Sequence, residues 1–314
     1  MADNKRPRVR AADAEGIAEA AEVLVEGGLV AVPTETVYGL AARADSGEAV
    51  AAIYRAKGRP DFNPLIVHVA DFASAERLAL FDDRARALAA AYWPGALTLV
   101  LPLRADSGLA AAVTAGLATV ALRCPAHHAM RAQLAATGLP LAAPSANPSG
   151  AVSPTRAEHV AASLGVGVAL VLDGGLCTQG IESTIVAVRP GGWEVLRPGP
   201  VTAVQVAEIA GPPVAMTSPG AIEAPGQLAS HYSPGKPVRL GVSEAKDDEF
   251  LIGFGQVAGH ASLSSSGDLA EAAARLYDCL HRAAADPRPR IAVAPVPEDG
   301  IGAAINDRLR RAAS

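Results

Sequence analysis

The chain has 314 residues, half of them hydrophobic, 19% charged and only 4% aromatic, with a formal net charge of −5. That composition fills a core and excludes a disordered tail, and at roughly 100–200 residues per domain it predicts two domains. Both parts are slightly acidic, with 17 basic and 20 acidic residues over 1–212 and 10 and 12 over 213–314, which excludes nucleic-acid binding driven by a general basic excess.

Residues 1–10 read as a short, mobile basic arm. Asp13 then caps a helix in which Ile17, Ala20, Ala21, Leu24 and Val25 recur at helical spacing, and Gly27-Gly28 stops it. Leu29 to Val32 is a buried strand by its apolar run. Ser46 opens a second helix through Val50, Ile53 and Tyr54, which Gly58 and Pro60 end. Further strands are predicted at 65–69, 97–101, 119–122, 139–142, 168–172, 184–188 and 193–197, with helices near 71–79, 82–92, 127–137 and 155–163. Residues 87–103 carry no charge, yet Pro94-Gly95 divides them, so a helix end and a buried strand are expected rather than a membrane span. Helices alternating with short apolar strands predict an α/β layer fold on a twisted mixed sheet, over 13–200.

The segment 211–237 holds six prolines and four glycines and reads as a linker or lid. After it, 238–314 shows three strands (238–242, 250–254, 291–294) and two helices (268–285, 299–312), a small Rossmann-like α/β domain in layout. No GxGxxG opens either helix, so no dinucleotide site is predicted there.

Cys124, Cys177 and Cys279 stand far apart without a CxxC pair, which argues against a thiolate zinc site and suits a reducing compartment. The charged first residues lead into no apolar stretch, so a cytoplasmic location is expected. Neither GxxxxGK[ST] nor GxSxG occurs, and no nucleophile triad emerges. The adjacent His127 and His128 cannot share a metal as an i, i+4 pair would. Metal ligands are left unassigned.

Three polar clusters fall at predicted strand ends, where ligand sites of α/β sheets lie. Residues 33–40, PTETVYGL, offer two threonines and a glutamate after the first buried strand. Lys57-Gly58-Arg59-Pro60-Asp61-Phe62-Asn63-Pro64 puts two cations on a segment stiffened by Gly and Pro, suited to a polyphosphate, although cations at a helix C-terminus also answer the helix dipole. Residues 143–150, with Ser145, Asn147 and Ser149, present hydroxyls and an amide on a Pro-stiffened loop. Alone, the first and third clusters read as ordinary turns.

Together these segments resemble the threonylcarbamoyl-AMP synthase family, whose core is a YrdC-like domain. PTETVYGL at 33–40, KGRPDFNPLIVH at 57–68, PSAN at 144–147, ESTI at 182–185 and LRPG at 196–199 follow that family's order. The HYSP at 231–234 and the small C-terminal α/β unit resemble the family's long form. The resemblance implies an ATP-dependent nucleotidyltransferase that joins L-threonine, bicarbonate or CO2, and ATP into threonylcarbamoyl-AMP and pyrophosphate. A downstream tRNA threonylcarbamoyltransferase would then use the product.

Carried over residue by residue, Thr36, His68, Arg123, Ala143 and Ser183 would form the threonine pocket. Lys57, Arg59, Asn63, Thr119, Ser145, Asn147, Ser153, Arg197 and Tyr232 would bind ATP, with Mg²⁺ accompanying the nucleotide and Lys57 and Arg59 acting in catalysis. The strap carrying Tyr232, rather than the fold of the second unit, is expected to serve the site. Direct tRNA binding is left open. Two rivals carry a similar domain: a double-stranded RNA or ribosome-binding protein, which the negative charge opposes, and a carbamoyltransferase of hydrogenase maturation, for whose extra modules this chain lacks length and cysteines.

Overall fold

The structure, a computed structural model, describes residues 7–214, 223–227 and 231–314. In chain order the elements are β1 (Arg8–Ala11), α1 (Ala14–Val25), β2 (Val30–Val32), β3 (Gly39–Arg43), α2 (Gly47–Lys57), β4 (Ile66–His68), α3 (Phe72–Glu76), α4 (Asp83–Tyr92) and β5 (Leu97–Pro102). Next come α5 (Ala111–Thr114), β6 (Thr119–Arg123), α6 (His128–Thr137), β7 (Leu141–Ala142), α7 (Ala157–Ser163), β8 (Leu170–Asp173), β9 (Thr184–Arg189), β10 (Gly192–Arg197) and α8 (Ala203–Ala210). The C-terminal unit holds β11 (Val238–Leu240), β12 (Glu249–Gly253), β13 (Ala261–Ser262), α9 (Leu269–Ala285), β14 (Arg290–Val293) and α10 (Gly302–Ala312).

The local signals act as the residues dictate. Asp13 and Ser46 accept the Gly16 and Ala49 backbone N–H groups at the starts of α1 and α2. Gly58 ends α2 in the left-handed region (φ 56°), a conformation that costs glycine little because it has no Cβ.

Ten strands form one sheet in the order β1-β8-β2-β3-β7-β4-β6-β5-β9-β10. It is mixed, as predicted: β4 pairs with β6 in parallel, whereas β2–β3 and β5–β6 are antiparallel. Helices α1 and α6 cover one face, where Ala20, Leu24, Met130 and Leu134 pack on Val30, Val32 and Leu170. Val50, Ile53, Leu88 and Val160, from α2, α4 and α7, fill the other. With few aromatics the core is aliphatic.

Three expectations are corrected. Arg8–Ala11 is not an arm but the edge strand β1, paired in parallel with β8; its side chains are exposed, so the backbone ladder and the surface ion pairs of Arg8 and Arg10 with Glu19 tie it down, and no apolar pattern marks it. Residues 39–43 form a strand that the glycine and alanines disguised. The second sheet has four strands, not three, all parallel in the order β11-β14-β12-β13; β13 is two residues long, too short to show periodicity.

Among the described residues no helix is long and apolar enough to cross a membrane. The core of the C-terminal unit is built from α9, α10 and its strands, but it also takes in Val37, Val152, Ile181 and Tyr232. Gly180 lies so close to α9 that a Cβ there would stand 2.4 Å from the Ala274 Cα.

Candidate active site

The polar segments come from both ends of the large sheet, since β4 and β6 run antiparallel to β2 and β7. The turn after β2, the C-terminal ends of β4, β6 and β10, the loop after β7 and the start of β9 all border one cavity. Its walls include Thr36, His68, Arg123, Ala143, Ser145, Ser183, Arg59, Arg197, Glu182, His231 and Tyr232. Parallel pairing aligns His68 with Arg123 on adjacent strands.

Arg123 is almost wholly buried. Its Nη1 donates to the Thr36 hydroxyl at 2.9 Å, its Nε to the Gly95 carbonyl at 3.1 Å, and its Nη2 to Glu35 Oε1 at 2.5 Å. The second Glu35 oxygen accepts the Ala126 and His127 N–H groups just before α6. Burial pushes the Glu35 carboxyl up, but Arg123 beside it and these donors hold it below the usual carboxylate range. Thr34 accepts the N–H groups of Thr36 and Val37 and so folds this turn locally. His68 is 2% exposed, and burial, with Arg123 adding to it, pushes its imidazole down to about 3; its Nδ1 has no partner among the described residues. It is a neutral wall.

Two more arginines, Arg59 and Arg197, line the cavity. Arg59 donates to the Asn63 and Pro64 carbonyls at 3.2 and 3.0 Å, and burial lowers it to about 10. Arg197 donates from Nε and Nη2 to the Ser183 carbonyl and from Nη2 to the Ser183 hydroxyl at 3.2 Å. Gly199 lets this arginine close in, since a Cβ there would stand 2.4 Å from the Thr184 nitrogen. Glu182 lines the cavity beside Arg197 and is paired with Arg308. Burial would raise its pKa, but the charges of Arg308 and Arg197 and the Ser153 hydroxyl on Oε1 bring it to about 2.

All five residues assigned to a threonine pocket line the cavity, and so do Arg59, Ser145, Arg197 and Tyr232. The remaining members of the nucleotide set stand outside its walls. Lys57 is buried behind the Ser145 loop, where its ammonium donates to the Ser145 and Asn147 carbonyls at 2.5 Å each; burial lowers its pKa well below the ordinary value. Asn147 braces the same loop by donating to the Pro148 and Ala151 carbonyls. Asn63 holds Arg59 through its carbonyl, and Ser153 reaches Glu182. Thr119 lies at the far end of β6 from Arg123, roughly 13 Å away at about 3.3 Å per strand residue.

Of the described residues after Pro225, His231 and Tyr232 line the site and also contact the second unit. Tyr232 is 1% exposed and packs in that unit's core. Tyr277 of α9 and Arg308 of α10 both donate to Glu182 Oε2, at 2.8 and 3.0 Å. Sequence reasoning gave no role to Glu35, Glu182, Tyr277 or Arg308. Arg308 sits near Arg310 and Arg311 and so looks like a solvated helix end, yet it is fully buried. Among the described residues no group of three or more His, Cys, Asp or Glu side chains could hold a metal ion.

A family model described as "Telomere recombination" matches residues 22–199, and one described as "Threonylcarbamoyl-AMP synthase, C-terminal domain" matches 201–314. The Bacillus subtilis threonylcarbamoyl-AMP synthase is 39% identical over 95% of this chain and 92% of its own length. A putative threonylcarbamoyl-AMP synthase of Mycobacterium tuberculosis is 41% identical over 62% of this chain and 89% of its own. The crystal structure of P. abyssi Sua5 complexed with L-threonine superposes with a TM-score of 0.88 at 34% identity, covering 98% of this chain and 96% of that one. The chain therefore belongs to the threonylcarbamoyl-AMP synthase family, in its long form with a C-terminal α/β domain.

Proposed function

We propose that this chain condenses L-threonine, CO2 (or bicarbonate) and ATP to threonylcarbamoyl-AMP and pyrophosphate. The observation that carries this is the convergence of Thr36, His68, Arg123, Ala143 and Ser183 on one cavity, with Arg59, Arg197 and Tyr232 on its other walls. A guanidinium fixed by Glu35 suits the substrate carboxylate, and the hydroxyls of Thr36 and Ser183 suit a substrate hydroxyl. Arg59 and Arg197 suit phosphate oxygens.

The chemistry asks for positioning rather than a nucleophilic side chain. The neutral threonine amine attacks CO2 to form a carbamate and releases one proton. Nearby guanidinium groups favour the uncharged amine, since a second positive charge there is repelled. A carbamate oxygen then attacks the α-phosphorus of ATP, and the bond to the bridging oxygen breaks as pyrophosphate leaves. Charge developing on the phosphates is met by Arg59 and Arg197. Lys57 acts from behind, by fixing the loop that carries Ser145. Mg²⁺ accompanying ATP would add positive charge against the phosphates. Both Glu182 oxygens are already engaged, which disfavours that carboxylate as a ligand.

As it stands the cavity holds about 40 Å³, against roughly 300–1,000 Å³ for sites that enclose a small-molecule ligand. Its lining includes Pro225, Gly226, His231 and Tyr232, which precede the C-terminal domain. The product is an activated carbamate, and a tRNA threonylcarbamoyltransferase is the reaction class that would consume it. Incubation with ATP, L-threonine and labelled bicarbonate, followed by mass spectrometry, tests the proposal. A labelled adenylate dependent on threonine is expected, and ATP consumed without it would overturn the reading.

A further inference from the structure

Tyr232 adopts φ 64°, in the left-handed region that side chains other than glycine rarely occupy. Such a backbone persists only where its surroundings over-determine it. Here they come largely from the C-terminal domain. The Tyr232 ring stacks on Tyr277 with centroids 5.6 Å apart and rings 30° from parallel, and the Arg308 guanidinium carbon lies 5.4 Å from its centroid. The His231 N–H donates to the Arg311 carbonyl, while the next residue after Tyr232, Ser233, donates to the Gly150 carbonyl of the N-terminal domain. The segment is pinned from both sides.

Tyr277 and Arg308 are themselves anchored on the N-terminal domain. Both bond Glu182 Oε2, and Arg308 Nη1 donates to the Pro198 carbonyl at 2.8 Å, one residue after Arg197. Arg308 is fully buried, and Asp307 and Glu182 balance its charge. A buried arginine is costly, and hydrophobic residues would close a domain contact as well. What an apolar contact would not supply is a fixed cation beneath an aromatic ring that walls the cavity.

We propose that Tyr277 and Arg308 are positioning residues of the N-terminal site, which hold Tyr232 in place as one wall of its cavity. This rests on the reading of Tyr232 as part of the nucleotide site. The C-terminal domain thereby completes an active site that shorter relatives must complete otherwise, since 62% of this chain matches 89% of the M. tuberculosis protein.

The test uses the full-length chain with Tyr277→Phe, Arg308→Lys or Arg308→Met. Amide hydrogen exchange of the peptide spanning 231–236 is followed without ligand, and binding of a non-hydrolysable ATP analogue and of L-threonine is measured by calorimetry. Faster exchange is expected in Tyr277→Phe and Arg308→Met. Kd for the analogue should rise by at least about fivefold while Kd for threonine stays within about twofold. Arg308→Lys, which keeps the cation, should recover part of the loss. In a Tyr232→Ala background, Tyr277→Phe should add less than about twofold, because the wall it positions is gone.

Unchanged exchange in Tyr277→Phe overturns the proposal, and so does full additivity with Tyr232→Ala. Equal weakening of both ligands with a lower melting temperature also overturns it, by assigning the pair to stability alone. If Arg308→Met does not fold, Tyr277→Phe decides. Faster exchange in a chain whose wild type binds no analogue supports the seat and removes Tyr232 from the nucleotide site instead.

Discussion

Glu35 and Arg123 meet at 2.5 Å beside the cavity that Arg123 lines, with side chains only 8% and 4% exposed. The carboxylate is tethered at its other oxygen by two backbone N–H groups before α6, so the guanidinium is aimed by a group that cannot turn. Glu35→Gln should keep the shape but lose the charge, and is expected to raise KM for threonine by about tenfold with a smaller change in KM for ATP. Arg123→Ala should be worse, since it strands a buried carboxylate at a cost of about 3–5 kcal/mol. Steady-state kinetics and thermal melts of both variants check this. An unchanged threonine KM in Glu35→Gln would remove Glu35 from the aiming of Arg123.

Lys57 and Arg59 stand differently with respect to the cavity. Arg59 lines the cavity, whereas Lys57 ties down the Ser145 and Asn147 carbonyls. Lys57→Ala and Arg59→Ala should each slow adenylate formation by about tenfold or more, equivalent to about 1.4 kcal/mol. Full turnover and normal ATP affinity in both variants would leave the two cations to the helix dipole.

The substrate hydroxyl should be read strongly. Thr36, His68 and Ser183 bring polar atoms to one cavity, and a site built for a hydroxyl rejects the analogue lacking it far better than an apolar pocket can. Threonine should therefore outcompete valine at subsaturating concentration. Equal rates of adenylate formation from the two amino acids would refute this.

Gly199 sits where β10 leaves the sheet against the Glu182–Ser183 segment, and an added Cβ would stand 2.8 Å from the Glu182 carbonyl. Both neighbours are backbone, so neither can step aside cheaply. Gly199→Ala should destabilise the chain by about 1–3 kcal/mol and impair nucleotide binding through Arg197. A melting temperature like that of the wild type, with ATP affinity intact, would contradict the predicted clash.

Acid should weaken the fold before carboxylates titrate. Burial, with the His281 ring stacked at 3.8 Å and Arg156 nearby opposing Asp278, lowers His159 from 6.5 to about 4, and burial lowers His231 to about 4. A histidine held neutral in the folded chain takes up its proton more readily when unfolded. Its stabilisation is thus full above about pH 6.5 and falls as pH drops towards about 4. Glu182, lowered from 4.5 to about 2, adds a loss below about pH 4.5. Melting temperature should therefore decline from about pH 6.5 downward, and His159→Gln should flatten the upper part of that decline. A flat profile from about pH 7 to 5 would count against buried neutral histidines.

The sequence alone determined the mixed α/β architecture, the helix caps at Asp13 and Ser46 and the stop at Gly58, because those depend on neighbours within a few residues. It also picked out the five short motifs whose residues line the cavity, since each carries its own turn and side chains. What they could not contain is where separate strand ends meet. Only the tertiary structure decided that Lys57 lies behind the Ser145 loop while Arg59 enters the cavity. Only tertiary structure converts Arg308, one of several arginines near the end of the last helix, into a fully buried partner of Glu182, 126 residues away. Periodicity reports which face of an element is apolar, and it is silent on a charge buried by a distant carboxylate. The four-residue edge strand at Arg8–Ala11 shows the same limit, for its side chains remain exposed and it pairs with the backbone of a strand far along the chain.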